Sequence, residues 1–112
     1  MKTKLSFLVL FSVILILNSC SKDEEPVDSK VTYNKDAKAV LVSNCAPCHV
    51  TGGGNPNKWD DYTSAKTKID AILDRVNRDA AANGFMPKGG AKLSAANIEI
   101  LTKWKADGLL EN

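Results

Sequence analysis

Cys45-Ala46-Pro47-Cys48-His49 is the stretch on which the reading of this chain turns. It sets two thiols three positions apart, with an imidazole directly after the second. His49 is the only histidine, and Cys20 is the one cysteine outside the stretch. Counting weakens three uses of such a cluster. A structural zinc site takes about four Cys or His ligands, and only Cys45, Cys48 and His49 remain after Cys20. A thioredoxin-like pair normally opens a helix in a strand-rich βαβ setting, and no alternating run here is long enough for a sheet. A structural disulfide is open to exported thiols, but it gives His49 no role.

The remaining use is attachment of a c-type haem, for which C-x-x-C-H is the signature. Two thiols at this spacing can each add to one porphyrin vinyl group, and the adjacent imidazole then lies beneath the iron. The second axial position calls for a soft donor or another imidazole. Once Met1 is removed, Met86 is the only methionine left. It stands in Gly84-Phe85-Met86-Pro87-Lys88-Gly89-Gly90, where proline and glycines set a turn that can aim one side chain inward. Methionine as core filler is the alternative use.

Outward from these residues, the pattern is helical. Asn34 is the expected N-cap of a first helix, with Asp36 in its first turn, and this helix ends in the Cys45–His49 region. Thr51 to Asn57 is a loop by composition. Asp60, Asp61 and Tyr62 open a short turn. Ile69, Ile72, Leu73 and Val76 form an i, i+3, i+4, i+7 stripe, which predicts a helix over about 64–79, ended by Asn83-Gly84. Ser94 caps a last helix with Ile98, Leu101 and Trp104, and Gly108 sits at its C-terminal stop. The expected class is all-α: three to four short helices joined by long loops.

With these pieces in place, the chain resembles a class I c-type cytochrome over about residues 33 to 110. The resemblance rests on Cys45-Ala46-Pro47-Cys48-His49, on Met86-Pro87 in a glycine-bearing loop, and on Ser94, Ile98, Leu101 and Trp104 in the final helix. It implies one covalent haem c on Cys45 and Cys48, with His49 as proximal and Met86 as distal iron ligand. It also implies that the first and last helices cross, so that Ala37, Val40 or Leu41 meets Leu101 or Trp104. A backbone carbonyl near Pro56 is the candidate for orienting His49. Trp59 and Tyr62 are candidate hydrogen-bond donors to the haem propionates, with packing as their alternative role. Tyr62, Ile69, Ile72, Leu73, Val76, Phe85 and Leu93 are expected to line the pocket and keep it dry. The step of 37 positions from His49 to Met86 is shorter than in larger members, which implies trimmed loops and a partly exposed haem edge.

The N-terminus reads as an address. Lys2 and Lys4 precede residues 5–17, where 11 of 13 side chains are apolar. As a helix this run spans about 20 Å, short for a bilayer core of about 30 Å, so it fits a secretory signal. Leu17-Asn18-Ser19-Cys20 resembles the lipobox of bacterial lipoproteins. That implies cleavage before Cys20, lipidation of Cys20 and stable anchoring by several acyl chains. Ser21 after the cysteine implies the outer membrane. Ser21 to Glu25 resembles acidic signals for display at the cell surface, and a solvated tether is the alternative use of such a run. The expected organisation is a signal peptide over 1–19, a lipidated cysteine and tether over 20–32, and a cytochrome domain over 33–112.

Composition agrees with a filled centre. Of the 92 residues after Cys20, only 22 are apolar and larger than Ala or Cys, few for a self-sufficient core. The whole chain of 112 residues has 15 basic and 13 acidic groups, without the basic excess of a nucleic-acid binder. The resemblance, with His49 and Met86 taking both axial places, implies a membrane-tethered carrier of single electrons rather than an enzyme. Redox proteins are its expected partners, with Lys88 and Lys92 as candidate contacts for acidic ones. Its place is the outer membrane, on the periplasmic face or the cell surface. A haem sensor or peroxidase-like enzyme with an open axial site is the alternative, and a thiol–disulfide oxidoreductase using Cys45 and Cys48 is a third.

Overall fold

The computed structural model describes residues 29–112. The expected signal peptide, the expected lipobox with Cys20 and most of the expected tether lie outside the described residues. The described chain is all-α, as expected: an opening π-helical turn over Tyr33–Ala37, then α1 (Lys38–Cys45), α2 (Tyr62–Asn77) and α3 (Ala95–Ala106). None of these helices is long and apolar enough to cross a membrane.

The opening turn starts earlier than the sequence suggests. Thr32, not Asn34, is its N-cap. Its carbonyl accepts from the Asp36 and Ala37 amides, and its own N–H donates to the Asp36 carboxylate at 2.9 Å. Asn34 is drawn to the chain end instead: its N–H donates to the Glu111 carbonyl and its side-chain amide to Asn112. Val31 N–H donates to Asp107 at 2.7 Å, and Thr32 is buried and bridges to Leu110.

α2 begins as a capped helix should, with the Asp61 carboxylate accepting from the Ser64 amide. Ala65, Ile69, Ile72 and Val76 form its buried stripe, with Leu73 at the margin. It starts at Tyr62 and stops at Asn77, two residues before each end of the expected span of about 64–79. The Asn77 side chain competes for the Leu73 carbonyl, and Lys92 Nζ satisfies the Asn77 and Arg78 carbonyls at 3.0 and 3.1 Å. Lys92 is thus a helix cap. α3 is capped by Ser94, which accepts from the Asn97 amide, and it is followed by Gly108 at φ +97°.

The helices close around aromatic rings and the C-terminal segment. Tyr33 lies 5.5 Å from the Tyr62 ring and 5.6 Å from the Trp104 ring. Ala37, Val40 and Leu41 share one buried cluster with Leu101 and Trp104, so the first and last helices pack as expected. Carbonyls of 109–111 then accept from three side chains or amides of this core: Tyr62 hydroxyl to Leu109, Trp104 Nε1 and Tyr33 N–H to Leu110.

Asp107 joins the two ends of the described chain, and its carboxyl is held below its ordinary value of 3.8, chiefly by the Val31 amide and then by Lys103. A depressed folded-state value stabilises the fold above the unfolded value, and that contribution is lost as pH falls below it. The loss of thermal stability between about pH 5 and pH 3 should therefore be smaller in Asp107→Ala than in the parent. An identical acid profile would show that this clasp is not coupled to folding.

Candidate functional site

α1 ends at Cys45, and the chain then turns so that the His49 N–H donates back to the Cys45 carbonyl at 3.0 Å. This carries Cys45, Cys48 and His49 onto one wall. The loop that follows is folded tightly against the same backbone. The Gly53 N–H donates to Val50, and a Cβ at Gly53 would overlap the carbonyls of Pro47 and Cys48, so only glycine fits. Lys58 Nζ holds the Gly53 carbonyl at 2.7 Å.

His49 is held on three sides. Its Nδ1 is 3.1 Å from the Asn57 carbonyl. A carbonyl only accepts, so Nδ1 carries the proton and Nε2 keeps its lone pair. The Trp59 N–H donates to the His49 carbonyl at 2.7 Å, and the Trp59 ring stacks on the imidazole at 4.9 Å and 11°. Such outer contacts fix the orientation and basicity of a ligating imidazole. The orienting carbonyl belongs to Asn57 rather than to the Asn55-Pro56 step. Asn57 N–H is turned by the Asn55 side chain, which displaces the carbonyl one residue past Pro56.

Tyr33 steadies this wall from behind. Its buried hydroxyl donates to the Trp59 carbonyl at 2.8 Å. Burial, then the charges of Asp60, Asp61 and Glu111, pushes the phenol up to about 12, so it remains a neutral donor. Tyr33→Phe strands that carbonyl and should cost about 1–3 kcal/mol. Guanidinium unfolding measures it, and an unshifted midpoint would mean that water replaces the hydroxyl.

The Met86 loop is seated on α2: Met86 N–H donates to the Arg75 carbonyl at 3.2 Å. One cavity of about 580 Å³ takes its lining from both segments, with Cys45, Cys48, His49, Trp59, Ile72, Val76 and Met86 among the lining residues. That volume lies within the range of about 300–1,000 Å³ usual for cofactor pockets. Two thiols, one imidazole with a free nitrogen and one thioether around a partly apolar space are a donor set that fits a covalently attached, two-ligand haem. No group of three or more His, Cys, Asp or Glu able to hold a bare metal ion occurs among the described residues. Cys45 is the more enclosed thiol, and burial pushes it up to about 11; Cys48 is exposed.

The wall differs from the expected one in specific ways. Of the apolar residues expected to line it, Ile72 and Val76 do so. Tyr62, Ile69, Leu73 and Leu93 belong to the core cluster and do not line the cavity, and Phe85 is buried within the Met86 loop. Ile72 and Val76 serve both, because the one apolar stripe on α2 meets the core and the cavity together. Tyr62 spends its hydroxyl on Leu109 and does not reach the pocket. Pro56 is not part of the lining either, whereas Asn55 and Asn57 are.

Sequence reading missed the polar rim. Lys68, Arg75 and Lys88 line the cavity, and no carboxylate does among the described residues there. The signal was available in the seven-residue step from Lys68 to Arg75, which returns to one helix face beside Ile72. Three cations suit a ligand that brings carboxylates of its own.

A family model described as cytochrome C oxidase, cbb3-type, subunit III, matches residues 34–104, more than half of the chain. No curated protein and no solved structure matches it.

Proposed function

The chain belongs to this family of class I c-type cytochrome domains, and from that membership we propose that it is a tethered carrier whose haem is attached at Cys45 and Cys48 and ligated by His49 and Met86. That it holds haem c covalently and serves electron transfer follows from the family itself. The residue assignments rest on one observation above all: a single cavity has Cys45, Cys48, His49 and Met86 in its wall.

When bound, the haem supplies the one-electron ferric–ferrous couple. The chain's residues do the rest. Cys45 and Cys48 keep the group from dissociating. His49, with Nδ1 committed to Asn57, offers Nε2 to the iron. Met86 would supply a thioether as the second ligand, which would leave no open position for oxygen or peroxide and would raise the potential. Ile72, Val76 and Trp59 exclude water, which raises it further. Lys68, Arg75 and Lys88 offset the negative charge of the propionates. Lys88 is also exposed for meeting an acidic redox partner, whereas Lys92 is occupied at the end of α2.

The proposal extends to the N-terminus. Residues 1–19 are a lipoprotein signal, Cys20 carries the lipid, and about ten following residues tether the domain to the outer membrane, facing the periplasm or the surface. A tether of about ten residues reaches at most about 35 Å, so the domain meets partners close to the membrane. Subunit membership in an oxidase complex is the alternative to free shuttling.

Purification of the processed protein from a host able to attach haem c tests these points together. A mass equal to polypeptide plus lipid plus one haem is expected, with a Met-sulfur charge-transfer band in the ferric spectrum. Haem without that band and with rapid CO binding would favour an open-site sensor or enzyme. Free thiols without haem would favour an oxidoreductase. Protease shaving of intact cells reads the membrane face.

A further inference from the structure

We propose that Arg75 is a positioning residue for the distal ligand, latching the Met86 loop to α2 and so setting how firmly the sulfur stays on the iron. This rests on the reading of Met86 as iron ligand. Two bonds from one residue hold the loop on both sides of Phe85. The Arg75 carbonyl accepts from the Met86 N–H at 3.2 Å, and Arg75 Nη1 donates to the Gly84 carbonyl at 3.2 Å.

The fit between loop and guanidinium is close. Gly84 has φ +78°, and a Cβ there would lie 2.7 Å from Arg75 Nη1 and 2.6 Å from Arg78 Nη1. The neighbouring ties act elsewhere. Arg78 Nη1 donates to Asn83 at 2.6 Å, farther from Met86, and Arg78 does not line the cavity. Arg75 does line it, together with Met86. It is therefore the side chain that touches both the loop and the haem-side space.

The consequence concerns ligand exchange. For Met86 to leave the iron, its loop must swing off α2, and that movement breaks both bonds to Arg75. With the side chain removed, only the backbone bond resists. Exogenous imidazole, which competes with Met86 for the ferric iron, should then bind more tightly by about fivefold, the equivalent of one net hydrogen bond. Arg75 is exposed and mid-surface on a helix, so the variants should fold.

The experiment uses the haem-loaded protein and its Arg75→Leu, Arg75→Lys and Met86→Ala variants, titrated with imidazole while the Met-sulfur band is followed. In Arg75→Leu the band should be present, covalent haem and helix content unchanged, and imidazole affinity about fivefold higher. Arg75→Lys should lie between it and the parent, because it keeps a donor but loses the fork. Affinity equal to the parent in Arg75→Leu overturns the latch and leaves the ligand assignment intact. An increase that disappears in about 1 M salt, where charges are screened within about 3 Å, also overturns it by making it a charge effect. A parent spectrum without the band, or one that Met86→Ala leaves unchanged, removes Met86 itself and the latch with it.

Discussion

Met86→Ala should keep its haem and lose the Met-sulfur band, while the reduction potential falls by on the order of 0.1–0.3 V, a fraction of the roughly 0.8 V over which axial ligands set haem potentials. Haem retention is expected because attachment is assigned to Cys45 and Cys48, which the substitution leaves in place. The fall follows from losing a thioether, which favours the ferrous state, and from water entering through the gap. CO and imidazole should then bind without having to displace a protein ligand. Visible spectra, a redox titration and CO binding read the three effects separately. An intact sulfur band would remove Met86 from the iron. An unchanged potential would mean that solvent and the cationic rim, not the axial ligand, set it.

Trp104→Ala should be the most damaging substitution in the body of the domain. Trp104 is fully buried, packs beside Tyr33 and donates from Nε1 to the Leu110 carbonyl at 2.9 Å. Truncating so large a side chain costs about 3–5 kcal/mol, and the stranded carbonyl adds to that. Domains of this size have a total stability near the low end of about 5–15 kcal/mol. The thermal midpoint should drop by roughly 15 °C or more. Trp104→Phe, which refills much of the space but not the hydrogen bond, should lose about a third to a half as much. Guanidinium unfolding of the haem-loaded forms tests both. A shift below about 1 kcal/mol in the alanine variant would mean that the covalent cofactor, not this ring, dominates the core.

The two substitutions bracket what sequence could supply. Caps and stripes are local, and they were legible. Ser94 accepts from the amide three residues ahead, as its position suggests, and Ile69, Ile72 and Val76 recur at helical spacing; Asp61, read only as part of a turn, caps α2 in the same way. Asn34 misled because it is an equally good cap in isolation. It loses to Thr32 only because residues 111 and 112 come back from the far end of the chain to bond it. The end of α2 misled for a similar reason: Lys92, fourteen residues past Arg78 in the chain, closes its last carbonyls. The Leu109–Asn112 segment carries no hydrophobic pattern that announces its use, yet its carbonyls collect Tyr33, Tyr62 and Trp104.

The pocket divides in the same way. Cys45, Cys48 and His49 are adjacent in the chain, so their chemistry is written in their spacing. Met86 stood out through its loop and its rarity. By contrast, that Ile72 and Val76 meet both core and cavity while Ile69 and Leu73 meet the core alone depends on how far α2 is rotated, which only its packing partners set. Lys68 and Arg75 enter the wall by that same rotation.

What this chain's sequence determined unaided is its chemistry and its helices, because both arise from residues a few positions apart that meet whatever the rest of the molecule does. What the tertiary structure alone decided is which carbonyl holds His49, which cations face the cofactor space and which side chain ties the Met86 loop. Those partners are brought together by the docking of α2 and the return of the C-terminus, and such meetings are set by the shape of the whole body rather than by any interval along the chain.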